Sequence, residues 1–235
     1  LAELPLVAQP GTVWNYSVGM DVLGALIEEV SGMTFGEFLE ERIFSPLGME
    51  DTGFIVPEEK LNRFAANYSP TPDNMMLMDD PEKSGYRTPP QLESGGGGLV
   101  STVGDYLKFA QMLLNRGEYQ GKRYLGKKTV KFMTANHMGS VSADEGLTSL
   151  FNMLGSGYKV QGMGFGMTGS VVVNPALTGL PVSKGVYSWG GAASTHFWID
   201  NKEDLIGIVH TQLLPDGTYP VRELMQLATY QAIID

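Results

Sequence analysis

Pro10-Gly11-Thr12-Val13-Trp14-Asn15-Tyr16-Ser17, running on into Val18-Gly19-Met20-Asp21-Val22-Leu23-Gly24, is the stretch whose reading decides the fold. Pro10-Gly11 is a turn signal. From Met20 to Val30 the residues Val22, Leu23, Leu26, Ile27 and Val30 fall at helical spacing, and Ser31-Gly32 ends the run. Tyr16 therefore stands between a turn and a helix start, at the kind of element end where binding and catalytic groups collect.

Outward from there, Thr34 and Glu37 have capping-box spacing. They open a second helix carrying Phe35, Phe38, Leu39 and Ile43, which stops near Pro46. Residues 51–95 read as irregular, because Pro57, Pro70, Pro72, Pro81, Pro89 and Pro90 break any long element. A stretch this long without regular structure suggests the wall of a binding site. Four glycines, Gly95 to Gly98, precede Ser101-Thr102-Val103-Gly104-Asp105 and a helix over Tyr106–Asn115 stopped at Gly117; a short helix follows over Lys127–Ala135. Near Lys159 the period changes. Val171–Val173, Val182–Trp189, Thr195–Ile199 and Leu205–Gln212 are short β-branched or aromatic runs, with Asn201–Asp204 as a hairpin loop. Val221–Ile234 is an amphipathic closing helix. Helices, then antiparallel strands, then one helix indicate an α+β protein. Its division is a mainly helical lobe over about 1–150 and a sheet lobe with the closing helix over about 155–235.

With 43% hydrophobic and 18% charged side chains in 235 residues, the composition is that of a folded chain with one sizeable core. A formal charge of -10 argues against nucleic acid and anionic membrane surfaces, which select basic patches. The absence of cysteine excludes disulfides, thiol nucleophiles and Cys-based zinc sites, and leaves the compartment open. No apolar run reaches the length of a membrane span. The chain opens at Leu1 in the middle of an extended segment and reads as the continuation of a longer sequence.

Simple hydrolase signals are missing. There is no G-x-S-x-G elbow. His137, His196 and His210 lack metal-ligand spacing, so neither a metal nor another cofactor is expected. The glycine run lacks the G-K-[ST] ending of a phosphate loop and reads as a flexible or close-packed turn before the helix at Asp105. One S-x-x-K occurs, Ser156-Gly157-Tyr158-Lys159, where about 0.6 matches are expected by chance from fifteen serines and ten lysines. Gly155 and Gly157 also oppose the helix that this motif needs to bring serine and lysine together.

Across its length the chain resembles the serine β-lactamase and penicillin-binding-protein superfamily. The resemblance rests on Pro10–Ser17, Met20-Asp21-Val22-Leu23-Gly24, Ser31-Gly32, Pro46-Leu47-Gly48-Met49, Thr52, Gly97–Thr102, Asp105-Tyr106 and Phe109. It continues in Trp189-Gly190-Gly191-Ala192 and Phe197-Trp198-Ile199-Asp200. It implies a serine β-lactamase-like fold, with a helical lobe beside an antiparallel sheet flanked by helices. The S-x-x-K nucleophile helix would lie before Leu1.

The resemblance also assigns roles. The family's Tyr-x-Asn stands here as Tyr16-Ser17-Val18, and its Lys-Thr-Gly as Trp189-Gly190-Gly191. Tyr16 would belong to the general base, Trp189 would line the acyl pocket, and the Ala192 N–H would be one oxyanion donor. Gly190 and Gly191 would let a ligand approach the backbone. Ser17, Val18 and Asp21 would support the site from behind. Val18 and Trp189 each replace a polar group, as in the β-lactamase-like carboxylesterases of the family VIII type.

The expected parent is thus a serine esterase acting on a small-molecule ester through an acyl-enzyme. A β-lactamase or D-amino-acid peptidase stays open, as does a non-catalytic module of the same fold. These 235 residues alone are expected to be inactive, awaiting a partner segment that carries the serine and lysine. Without that segment the sheet would keep an unpaired edge, and Trp189, Phe197 and Trp198 would risk exposure.

Overall fold

The computed structural model describes residues 3–139 and 160–234. Helix α1 (Gly19–Ser31) ends at Gly32, whose φ of 72° closes it in the left-handed conformation. The capping box at α2 (Phe35–Leu39) is complete: Thr34 Oγ1 accepts from Glu37 N, and Glu37 Oε2 accepts from Thr34 N. The helix expected to run on to Ile43 instead widens into a π-helical turn, Glu40–Phe44, before the short α3 (Ser45–Leu47). Pro46 has no N–H to donate, and the widened turn lets Ser45 N donate to Glu40 O instead.

Part of the region read as irregular is a hairpin, β1 (Asn67–Pro70) with β2 (Met75–Asp79). Its prolines, Pro70 and Pro72, sit at a strand end and in the turn, where a missing donor breaks no ladder bond. Helix α4 (Val103–Leu114) is capped by Thr102, whose hydroxyl accepts from Asp105 N. A two-residue hairpin, β3 (Glu118–Tyr119) and β4 (Lys122–Arg123), leads to α5 (Lys127–Met133).

Among the described residues the main sheet has five antiparallel strands in sequence order: β5 (Met163–Phe165), β6 (Ser170–Val172), β7 (Tyr187–Gly191), β8 (Thr195–Asp200) and β9 (Leu205–His210). Helix α6 (Pro175–Thr178) lies between β6 and β7, and α7 (Val221–Gln231) closes the chain. The strand expected over Val182–Trp189 starts only at Tyr187, because Val186 N turns back to Ser183 O beside Gly185 at φ 94°. No helix among the described residues is long and apolar enough to cross a membrane.

The sheet is covered on both faces. Ala110, Met112 and Leu113 of α4, with Phe44, Leu47 and Val130, pack on Val171, Tyr187 and Ile199. On the other face Val160, Met163, Val172, Val186 and Trp198 pack with Tyr230 of α7. The expected exposure of Trp198 is therefore wrong: it is 1% exposed, because the closing helix covers its face. Phe197 is half-buried against Tyr106, at a ring separation of 5.1 Å. Burying a tryptophan of this size is worth roughly 5 kcal/mol, more than the roughly 1–3 kcal/mol lost where its Nε1–H finds no partner among the described residues.

Two buried carboxylates tie the layers. Asp105 Oδ2 accepts from Asp51 N (2.6 Å) and Thr52 Oγ1 (3.0 Å), while its Oδ1 meets Lys108 Nζ at 3.0 Å. Asp51 in turn pairs with Arg63 and Lys60. Asp200, 1% exposed, accepts from Lys202 N and Glu203 N in the β8–β9 turn and from the Tyr230 hydroxyl at 2.8 Å. Burial and the Asp200 bond both push the Tyr230 phenol well above its ordinary value.

Tyr230→Phe keeps the ring packing but leaves Asp200 Oδ2 buried with one donor fewer, and is expected to cost about 1–3 kcal/mol in urea unfolding. A separate acid effect follows from Asp51. Hydrogen bonds from Arg63 and then Lys60 hold its carboxyl well below the usual carboxylate range. The unfolded chain therefore takes up this proton first. The stabilisation is complete at neutral pH and is lost as pH falls from about 3.9 toward the lower folded value. Asp51→Asn should lower stability at neutral pH and flatten the decline measured below about pH 4.

Candidate active site

The segment before α1 has no regular structure from Val13 to Tyr16, and Trp14 and Tyr16 stand two residues apart in it. Their rings meet two others in a closed cycle. Tyr16 lies 6.2 Å from Trp14, with planes 28° apart, and 5.9 Å from Trp189 on β7. Phe165, at the end of β5, lies 4.9 Å from Trp14 and stands edge-on to Trp189 at 5.2 Å. Tyr16 itself is 47% exposed, and its hydroxyl has no hydrogen-bond partner among the described residues. It is a tyrosine with a buttressed ring and an accessible oxygen, not a core tyrosine with a satisfied one.

Helix α1 starts at the back of this cycle without a side-chain cap. Asp21, in its first turn, instead accepts from Ser94 Oγ (2.5 Å) and from Gly96 N (3.3 Å). A carboxylate here suits the positive end of the helix dipole. The glycine run is thereby pulled onto the helix start: a Cβ on Gly95 would come within 2.3 Å of Met20 O. Of the two readings the sequence left open, flexible or close-packed, the turn is the close-packed one, and Asp21 binds it. Ser17 and Val18 are exposed between Tyr16 and α1.

Strand β7 supplies the opposite wall. Its ladder with β8 pairs Trp189 with Phe197, Gly190 with His196 and Gly191 with Thr195. The chain then turns through Ala192 and Ala193, and Ser194 N bonds back to Gly191 O at 3.1 Å. Ala192 is exposed, and its N–H donates to no group among the described residues. The turn is anchored from behind by the segment after β9. Leu213 N donates to Ala193 O (3.1 Å), Ser194 Oγ to Leu213 O (2.8 Å) and Thr211 Oγ1 to Ser194 O (2.9 Å). The same segment holds the β1–β2 hairpin, through Tyr68 N to Gln212 O and Leu214 N to Tyr68 O.

The structure thus brings Tyr16 and Trp189 into ring contact, while Asp21 in the first turn of α1 binds Ser94 and Gly96. One sequence expectation changes. A Cβ on Gly190 would lie 2.5 Å from His196 Nδ1, so the absence of a side chain at 190 is required by the imidazole packed on it. Trp14 and Phe165 gained no role from sequence. The two-residue offset of Trp14 from Tyr16 was the available signal for the first. Phe165 offered none, since its strand is only three residues long. Ser156 and Lys159, the lone S-x-x-K, lie outside the described residues.

Comparison with known proteins places this geometry. Protein Rv1367c of Mycobacterium tuberculosis is 38% identical over 220 residues, covering 92% of this chain and 53% of its own length. Esterase EstB of Burkholderia gladioli is 26% identical over 232 residues, covering 92% of this chain and 54% of its own. The chain spans about half the length of these curated relatives. Among solved structures, EstCE1, described as a hydrolase with promiscuous acyltransferase activity, superposes with a TM-score of 0.77 over 97% of this chain and 58% of its own; at 24% identity this likeness concerns the fold. The family model described as Beta-lactamase matches residues 1–230, and the chain belongs to that family, within the serine β-lactamase and penicillin-binding-protein-like superfamily.

Proposed function

We propose that the protein to which this chain belongs is a serine hydrolase of carboxylic esters. The observation that carries the reading is the pair Val18 and Trp189. At the two positions where amide-hydrolysing relatives resemble Tyr-x-Asn and Lys-Thr-Gly, this chain has an aliphatic and an aromatic side chain. Trp189 stands 5.9 Å from Tyr16 inside an aromatic cycle. A wall of that composition suits an uncharged acyl group and offers no cation to a substrate carboxylate. The similarity to an esterase, EstB, supports the same assignment.

In this reading the nucleophilic serine and its lysine come from a segment upstream of Leu1, as the family resemblance implies. The upstream segment would also cover the apolar side of α1, where Val22, Leu23, Leu26 and Val30 are 47–79% exposed. The serine Oγ attacks the ester carbonyl while Tyr16, with the upstream lysine, takes its proton. Collapse of the tetrahedral intermediate expels the alcohol, which receives that proton, and water then releases the acid from the acyl-enzyme. The Ala192 N–H, unengaged among the described residues, donates to the carbonyl oxygen as its charge develops. Asp21 acts by fixing the start of α1, and Ser17 and Val18 lie between that start and Tyr16.

The test uses the protein carrying both halves. Short-chain p-nitrophenyl esters are expected to turn over, and cephalosporins slowly or not at all. Cephalosporin turnover without ester turnover would favour a β-lactamase or D-amino-acid peptidase, and turnover of neither a non-catalytic module. In the active protein, Tyr16→Phe should lower kcat by about 10²–10⁴-fold with little change in KM, as loss of a general base does.

A further inference from the structure

We propose that His196 and Asp216 form a buried pair that positions the Trp189–Ala192 segment, and through it the Ala192 N–H, for acyl transfer. The proposal rests on the esterase reading for its chemistry and on independent geometry for the pair.

His196 lies on β8 directly opposite Gly190 and is 4% exposed. Its Nε2 meets Asp216 Oδ1 at 3.0 Å, so that nitrogen carries the proton and donates. Asp216 belongs to the loop between β9 and α7, the loop that also binds Ala193 and Ser194 through Leu213 and Thr211. The ring is therefore held at one end by the loop and lies at the other on the Gly190 backbone, where a Cβ would be 2.5 Å from Nδ1. It acts as a wedge between the loop and the strand.

Two features argue for more than space filling. His196 Nδ1 is buried and has no hydrogen-bond partner among the described residues. An orphaned buried nitrogen costs stability that a leucine or phenylalanine would not. What the imidazole offers in return is a rigid N–H that makes a charge-assisted bond to a carboxylate. The turn it backs is strained, with Ser194 at φ 60°. A hairpin tip in this state drifts unless it is held, and an oxyanion donor displaced by about 1 Å loses much of its effect. The wedge bears on Gly190, two residues from Ala192 in sequence. It touches no reacting atom, and is a positioning device.

The experiment uses the protein with both halves. Asp216→Ala removes the hydrogen bond from a loop position where misfolding is a small risk, Asp216→Asn keeps an acceptor there, and His196→Leu removes the donor. For p-nitrophenyl butyrate, Asp216→Ala and His196→Leu are expected to lower kcat per folded molecule about 10–100-fold with KM within about threefold, and Asp216→Asn to recover to within about fivefold of wild type. A lower Tm with kcat unchanged in Asp216→Ala would overturn the proposal, and would do so even if His196→Leu fails to fold. Amide hydrogen exchange supplies the readout that needs no activity. Exchange at Gly191 and Ala193 should rise about tenfold in Asp216→Ala relative to Phe197 and Ile199 in the middle of β8. If wild type hydrolyses no ester but this local change is seen, the esterase reading fails and the positioning pair stands. If exchange is unchanged, the pair fails whatever the activity.

Discussion

The ladder between β7 and β8 is the constraint on which the rest of the site depends. It sets Trp189 opposite Phe197, Gly190 opposite His196 and Gly191 opposite Thr195. A slip of one residue would exchange the two faces of the strand. Trp189 would leave the aromatic cycle, and the space occupied by the His196 ring would meet a side chain. The register is held at both ends. At one, Ser188 Oγ accepts from Arg222 of α7 at 3.1 Å and shares a hydrogen bond with Ser170. At the other, the turn at Ala192 and Ala193 is bound by the loop after β9.

Tyr16 depends on the same strand although it lies far from it in sequence. Its ring is placed by Trp14 and Trp189, and its main chain by the start of α1. That helix start is held by Asp21, which gathers the glycine run. No single one of these contacts is large; an aromatic pair adds about 0.5–1.5 kcal/mol beyond its burial. Their effect is geometric. Four rings from three separate segments close on one another, so moving any one requires moving two neighbours. This leaves the Tyr16 hydroxyl exposed while its ring stays fixed, the combination that a proton-transferring group needs.

Long amphipathic elements were legible in the sequence. The spacing of Val22, Leu23, Leu26 and Ile27 gave α1, the Thr34–Glu37 box gave the start of α2, and the β-branched runs gave β8 and β9. The α+β class followed from their order. Three kinds of feature were not legible. The strands β3, β4 and β5 have two or three residues, too few to show a period. The π-helical turn at Glu40–Phe44 responds to Pro46 and needs the backbone geometry to be seen. The pairing of His196 with Asp216 joins residues twenty apart through a loop, and His196 carried no local motif. Tyr16, Trp189 and Asp21 were singled out through resemblance, and the ring contact of Tyr16 with Trp189 belongs to the fold.

The two departures from the family pattern bear on substrate through desolvation. An asparagine at 18 or a lysine at 189 would have to be paired when a substrate excludes water, and an unmatched buried amide or ammonium is costly. Such groups favour a ligand that supplies the partner and penalise one that does not. Val18 and Trp189 carry no such requirement. In the proposed esterase the aromatic cycle would accept an apolar acyl group at no polar cost, and discrimination against a charged one would come from the lack of a cation in that wall. Polar precision would then be concentrated at the turn carrying Ala192. Buried polar groups hold the strand beside it: Ser170, Ser188, His196 and Arg222, with Asp216 bonded to His196. The proposed chemistry uses the aromatic rings for selection and these hydrogen bonds for alignment.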